Sequence, residues 1–303
     1  MRVRRSVPVA AAEGALSRLR REFHARLCRE ILGRRGGIAS VADRGSKAST
    51  AIAAALLDVL EEAGYSPCAD PPDAGQTAGS RFIRAVADFL RGAFQARLAH
   101  LRPGPWEIIA EGEGGTAISQ FDQYQHLEVL QAVAEEHPEV AGQLGHDYLV
   151  HPDIVIARRP LSIQDVNAAE AVIGEGNGTA RFAPLLARNN PGGRLLLHAS
   201  VSCKWTIRSD RVQNARAEAL NLAKHRKGRM PHFVLVTMEP LPSRLASVAQ
   251  GTGEIDCVYH AALDELILAA RRAAPEREKT MLQRLIDGRR LRDISDLPLD
   301  LAV

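Results

Sequence analysis

The chain has 303 residues, 46% of them hydrophobic and 25% charged, with a formal net charge of +3. This is enough chain for a substantial core, and the composition is that of an ordinary soluble protein. No apolar run approaches the roughly 20 residues that span a bilayer, and Val7 to Ala12 is too short for a secretory leader, so a cytoplasmic protein with no membrane partner is expected.

From the N-terminus, Leu16, Leu19, Phe23, Leu27 and Ile31 recur at helical spacing, and Gly33, Gly36 and Gly37 close that segment. An alanine-rich helical pattern over residues 48–64 ends at Gly64, and Cys68 to Gly79 reads as a loop. Phe82, Val86, Phe89, Leu90 and Phe94 mark an amphipathic helix; a turn-rich segment, Arg102 to Gly115, precedes a helix centred on Leu127, Leu130 and Val133. A strand is expected from Tyr148 to Ala157, then a long connection through Asn189-Asn190-Pro191-Gly192-Gly193. Leu197, Ala199, Val201, Cys203, Trp205 and Ile207 alternate with polar residues, which predicts a strand with Ser202, Lys204, Thr206 and Arg208 on its open face. A helix covering Val212, Ala215, Ala219 and Leu222 follows, then a buried strand over His232–Thr237, a helix from about Glu254 to Arg272 and a basic, helical C-terminus. Strands interleaved with helices predict an α/β fold in one domain.

The four cysteines (Cys28, Cys68, Cys203, Cys257) form no Cys-x-x-Cys pair, so reduced thiols are expected rather than a zinc site or disulfide framework. Charge is unevenly distributed. Residues 1–36 hold ten Arg against three Glu, and residues 204–229 hold eight Lys or Arg against Asp210 and Glu218. Such patches either contact phosphates or form solvated basic faces.

Two constellations carry chemistry. Metal-assisted phosphodiester hydrolysis needs hard oxygen ligands for Mg²⁺ and a positive charge near the attacked phosphorus. Asp153 offers a carboxylate, the Cys203 carbonyl a second ligand, and Lys204 the charge. Where an acid is expected two residues before such a lysine, Ser202 stands instead; Glu218, two helical turns beyond Asp210, is the candidate substitute. Singly, each of these residues is better explained as a satisfied surface charge, whereas the set points to catalysis. The second constellation is Arg208, Asp210 and Arg211. Arginine pairs bidentately with guanine and aspartate accepts from cytosine N4, so the cluster can read C·G steps in the major groove; the alternative is a capped helix start flanked by exposed arginines. Gly112-x-Gly114-Gly115 lacks the frame of a dinucleotide loop, Ser200 and Ser202 lack that of a nucleophile elbow, and His146, His151 and His198 lack metal spacing. Glu254 and Asp256 read as helix-capping residues.

The run Ser-Val-Ser-Cys-Lys-Trp-Thr-Ile-Arg-Ser-Asp-Arg-x-Gln-Asn-Ala-Arg-x-Glu (Ser200 to Glu218), together with Pro231 to Arg244 and Gln250 to His260, resembles the NgoMIV-type type II restriction endonucleases. These are the CCGG-reading group of the PD-(D/E)xK superfamily, and the similarity runs through most of residues 40–270. The resemblance implies a restriction-endonuclease-like core, a central mixed β-sheet flanked by helices. It implies a single domain over residues 1–303: a helical part to about residue 145, a catalytic and DNA-reading core over about 146–270, and a helical tail. Asp153 and the Cys203 carbonyl would bind Mg²⁺, with Ser202, Lys204 and Glu218 completing the site. Arg208, Asp210 and Arg211 would read the inner CCGG, and Asp43, Gln76 and Arg244 the outer G·C pairs. The implied enzyme is a homotetramer that cuts double-stranded GCCGGC after the first G to leave 5′ overhangs, protected in its host by a cytosine methyltransferase that does not bind it stably. The family also carries an active-site glutamate on the helix after Gln76. Ile83 stands there in this chain, with no Glu between Gly79 and Phe94, which leaves a site with fewer carboxylates or one completed by Asp88 or another acid. Two other functions share these features: a sequence-specific DNA-binding protein with weak or lost cleavage, and a structure-specific repair nuclease of the same superfamily.

Overall fold

The computed structural model of the chain describes residues 13–72, 75–114, 116–137, 139, 150–174, 178–207, 209–251 and 253–303, with the backbone alone for 209–213. In chain order the main elements begin with α1 (Ala15–Glu30), the two-residue strands β1 (Arg34–Arg35) and β2 (Ile38–Ala39), α2 (Lys47–Glu62) and α3 (Gln76–Leu90). They continue with β3 (Trp106–Ala110), α4 (Gln125–Glu136), β4 (Ile154–Arg158), β5 (Leu196–Lys204), α5 (Ser209–His225) and β6 (His232–Thr237). The chain closes with α6 (Pro242–Ala249), β7 (Cys257–His260), α7 (Leu263–Ala273), α8 (Glu276–Asp287) and β8 (Leu291–Asp293).

The helices α1 to α4 form where the apolar spacing predicts them. Ser46 caps α2 by accepting the Ser49 amide, and α3 buries Phe82, Ile83, Val86, Phe89 and Leu90, with Phe82 against Trp205 and Phe89 against Phe23 of α1. Gly33 lets two segments touch: a Cβ there would meet the Cys68 carbonyl oxygen at 2.0 Å. That contact pairs Gly33, just beyond α1, with Cys68.

Strands β3 to β8 form one six-stranded mixed sheet in the order β3-β4-β5-β6-β7-β8. β3, β4 and β5 pair antiparallel, while β5 to β8 run parallel. The architecture is therefore α/β, a mixed sheet flanked by helices, as expected. Several local features differ from the sequence reading, among them the unexpected helix α6 and the strand β8 within the expected helical C-terminus. The turn-rich segment after Arg102 contains strand β3, and the expected Glu254–Arg272 helix begins only at Leu263, because Cys257–His260 is a strand buried along its whole length. A short strand covered on both faces carries no alternation, so its period cannot be read. Asp256 caps no helix; it accepts the Phe233 amide at 2.9 Å at the start of β6.

The polar face of β5 is also less open than alternation suggests. β5 is interior to the sheet, and His198 and Ser200 are buried. The His198 ring packs on Trp106 with centroids 4.9 Å apart, and its Nε2 lies 2.8 Å from the Leu301 carbonyl. Only toward the C-terminal end, at Ser202 and Lys204, does that face open.

A buried ion network ties the N-terminal helix to the parallel half of the sheet. The Arg20 guanidinium bonds both Glu265 oxygens at 2.8–2.9 Å and both Asp293 oxygens at 2.8 Å. Burial alone would raise the Asp293 carboxyl, but Arg20 and Ser295 hold it down at about 2. Removing one member of such a set leaves uncompensated charge in the interior. Arg20→Ala is therefore expected to lower the unfolding free energy by about 3 kcal/mol. The sign with pH follows from the depressed carboxyl: its contribution is full above the ordinary carboxylate range and is lost as pH falls through about 2. Denaturant titrations should thus show the Arg20→Ala deficit at pH 7 and its shrinkage toward pH 2.

Candidate active site

Antiparallel pairing of Ile154 with Val201 puts Asp153, one residue before β4, against the C-terminal end of β5. One carboxylate oxygen does the joining. Asp153 Oδ2 accepts the Cys203 amide at 2.7 Å, the Lys204 ammonium at 3.0 Å and, more weakly, the Ser202 hydroxyl at 3.4 Å. The backbone across this end is fixed as well, since the Glu111 amide donates to the Asp153 carbonyl at 2.8 Å.

Lys204 and Glu218, which lies on α5, both line a cleft of about 540 Å³ that Asp153 also lines. Burial works against the Lys204 ammonium, but the charges of Asp153 and Glu218 and the hydrogen bond to Asp153 outweigh it, so its pKa is raised. Glu218 is also raised: burial and the Asp153 charge push its carboxyl up, and Lys204 offsets them only in part. Lys204 is hydrogen-bonded to Asp153, so Glu218 is left as the carboxyl that takes up a proton more readily than a free one.

The donor set fits a hard divalent cation. All three hydrogen bonds at Asp153 fall on Oδ2, which leaves Oδ1 for a ligand. Burial holds the Cys203 thiol far above its ordinary value, so no thiolate is on offer there, and the main-chain oxygen is the ligand this residue can give. Among the described residues, no three His, Cys, Asp or Glu side chains converge closely enough to cage a metal. A divalent cation held here by one or two protein oxygens would complete its shell with water and substrate phosphate oxygens.

The other expected site residues are distributed as follows. Ser202 does not line the cleft; its hydroxyl supports Asp153. Gln76 lines the cleft. Asp43 and Arg244 are ion-paired with each other and line a neighbouring cleft of about 710 Å³, which shares Gly75 with the first. Arg208 lies outside the described residues, as do the side chains of Asp210 and Arg211 and all of His146; the backbone at 210 and 211 is in the first turn of α5.

Ile83 forms an apolar part of the wall of the cleft that Asp153, Lys204 and Glu218 line. Asp88 does not substitute for an acid there: it pairs with Arg26 and Arg91 and is not part of the cleft lining. A further acid besides Asp153 and Glu218 lines the cleft: Glu111, in the turn after β3, which the sequence reading missed. The N-terminal arginines are also less available than their number suggests. Arg20 is in the buried network, Arg26 pairs with Asp88, and Arg34 pairs with Asp58 and Glu61.

The sequence pattern of the NgoMIV restriction enzyme family matches residues 23–303. The chain is also 45% identical over 287 residues to the type II restriction enzyme NgoMIV of Neisseria gonorrhoeae, covering 94% of this chain and 97% of that one. It belongs to the NgoMIV restriction enzyme family and is thereby a type II site-specific deoxyribonuclease.

The charge balance at Lys204 can be tested directly. Asp153→Asn removes the charge and acceptor strength that oppose burial, so the Lys204 pKa should fall. At pH 8 the acetylation rate of Lys204 relative to exposed Lys47, read by mass spectrometry, is expected to rise. An unchanged ratio would assign the effect to Glu218 instead.

Proposed function

We propose that this enzyme hydrolyses double-stranded DNA at GCCGGC with Mg²⁺, cutting after the first G to leave four-base 5′ overhangs, and that it works as a homotetramer engaging two sites. The observation that carries the catalytic part is the Asp153–Lys204 contact at the joined ends of β4 and β5, facing Glu218 across one cleft. Asp153 and the Cys203 carbonyl would hold the cation, which would polarise the scissile phosphate and lower the pKa of a bound water. Lys204, kept protonated by Asp153, orients the attacking water and balances the negative charge that grows on the phosphorane oxygens. Glu218, with its raised pKa, takes the proton from that water. Ser202 holds Asp153 in place.

Base reading fits the same strand end. Arg208, Asp210 and Arg211 follow Lys204 by four to seven residues, which supports the inner CCGG reading. Asp43 and Arg244 line a cleft that shares Gly75 with the one holding Asp153 and Lys204, which supports their role at the outer pairs. Paired with each other in the free protein, they would exchange that ion pair for cytosine N4 and guanine O6/N7. A host carrying the enzyme needs a cytosine methyltransferase of the same specificity.

A DNA-binding protein with weak cleavage is the second reading, and the apolar Ile83 in the cleft wall favours it. Digestion of a sequenced plasmid with end-mapping separates the two. Discrete Mg²⁺-dependent fragments ending at GCCGGC are expected. Specific gel shifts with no cutting in Mg²⁺ or Mn²⁺ would favour the second reading. Lys204→Ala should reduce cleavage at least 10²–10³-fold, the cost of losing one transition-state charge contact, while specific binding in Ca²⁺ stays within a few-fold.

A further inference from the structure

Glu239, two residues beyond β6, is fully buried yet carries no part of the hydrolytic site. Its Oε2 accepts the Ile207 amide at 2.8 Å, and its Oε1 accepts the Leu241 amide at 3.1 Å, just before α6. Arg244, one turn into α6, brings a guanidinium nitrogen to 3.9 Å from Oε2 and forms its ion pair with Asp43 on the other side. The Glu239 backbone is held too: its amide donates to the Thr237 hydroxyl at 3.1 Å, and its carbonyl lies 3.2 Å from His260 Nε2.

A buried carboxylate is a costly way to satisfy two amides. A neutral Ser, Thr or Asn oxygen caps such groups without desolvating a charge. What a carboxylate adds is two acceptors on opposite sides together with a charge facing Arg244. Each of the three contacts leads to a part of the expected DNA-reading surface. Ile207 immediately precedes Arg208, Leu241 starts the helix that carries Arg244, and Arg244 holds Asp43.

We propose that Glu239 is a positioning residue for DNA specificity: it fixes the backbone at Ile207 and the Arg244 guanidinium on one carboxylate and so sets the spacing between inner-base and outer-base readers. This rests on the proposed reading of GCCGGC. It assigns Glu239 no contact with DNA; it acts through Ile207 and Arg244. The geometry links the two sets of readers, since loss of the carboxylate removes at once the acceptor for Ile207, the acceptor for Leu241 and a charge facing Arg244, which keeps its ion pair with Asp43.

Protonation should act in the same direction as substitution. Burial pushes the Glu239 carboxyl up to about 7, against the opposing Ile207 and Leu241 amides and the Arg244 charge. The titratable or charged groups facing it are Arg244 from α6, Asp43 beyond Arg244, and His260 from β7, whose own ring is held neutral by burial with a pKa of about 4. Above about pH 7 both oxygens accept. Below it, a proton makes one oxygen a donor against an amide N–H.

The test measures kcat/KM for the mapped cognate duplex and for duplexes carrying one inner or one outer base-pair change. Glu239→Gln keeps the shape and places an NH₂ against one of the two amides. At pH 8 it is expected to lower inner and outer discrimination together, each at least tenfold, with a melting temperature that shows the protein folded. A folded Glu239→Gln protein that slows cleavage of all duplexes alike, with discrimination intact, would make Glu239 merely structural and overturn the inference. The wild-type enzyme gives a second readout that needs no variant: discrimination should fall at least threefold between pH 8 and pH 6, with a midpoint near 7, and a flat ratio overturns the inference. If the wild-type enzyme cuts no GCCGGC-containing DNA at all, the functional reading fails first and this inference falls with it.

Discussion

The Oδ2 atom of Asp153 takes up the Cys203 amide, the Lys204 ammonium and the Ser202 hydroxyl, and it can do so only because β4 and β5 run antiparallel with Ile154 opposite Val201. A shift of register by one residue would turn Lys204 to the other face of the sheet. The candidate catalytic geometry therefore depends on strand pairing more than on the local conformation of either strand. The flanking strands enforce that pairing. β5 has β4 on one side and β6 on the other, and α3 presses Phe82 onto Trp205 with ring centroids 5.3 Å apart.

β5 lies where the sheet changes from antiparallel to parallel pairing. On the β4 side this brings the start of one strand to the end of another, and so delivers Asp153. On the β6 side it brings two C-terminal ends together, delivering Glu239 beside Ile207. Parallel strands direct their C-terminal ends to one edge of the sheet, where loops and helix starts gather. A mixed sheet thus lets acids from both kinds of neighbour meet one strand end, with Lys204 and Ile207 a few residues apart.

Much of this was legible in the sequence. The alternation from Leu197 to Ile207 identified β5, and the helical spacing after Asp210 put Glu218 within reach of Lys204. What escaped were features created by non-local packing. Cys257–His260 gives no periodic signal because both faces are covered. Glu111 reaches the cleft only through the pairing of β3 with β4, and nothing around it in sequence distinguishes it from a solvated turn residue. Glu239, between Met238 and Pro240, looks like any strand-end acid; its burial comes from α6, β7 and the segment beyond β5. Ile83 was the converse case: the resemblance to the family marked an acid as missing there, and the structure puts an aliphatic side chain in the cleft wall at that point.

The three-residue separation of Lys204 and Ile207 bears on how such an enzyme can diversify. Even fully extended, three residues span at most about 10 Å, and the Lys204 end is tied to Asp153 while the Ile207 end is tied to Glu239. A segment that short and anchored at both ends cannot be exchanged as a cassette, as a recognition loop carried on a separate module could be. New target sequences would have to arise by substitutions that leave the strand end in place, so retargeting and retention of the hydrolytic site are inherited as one problem.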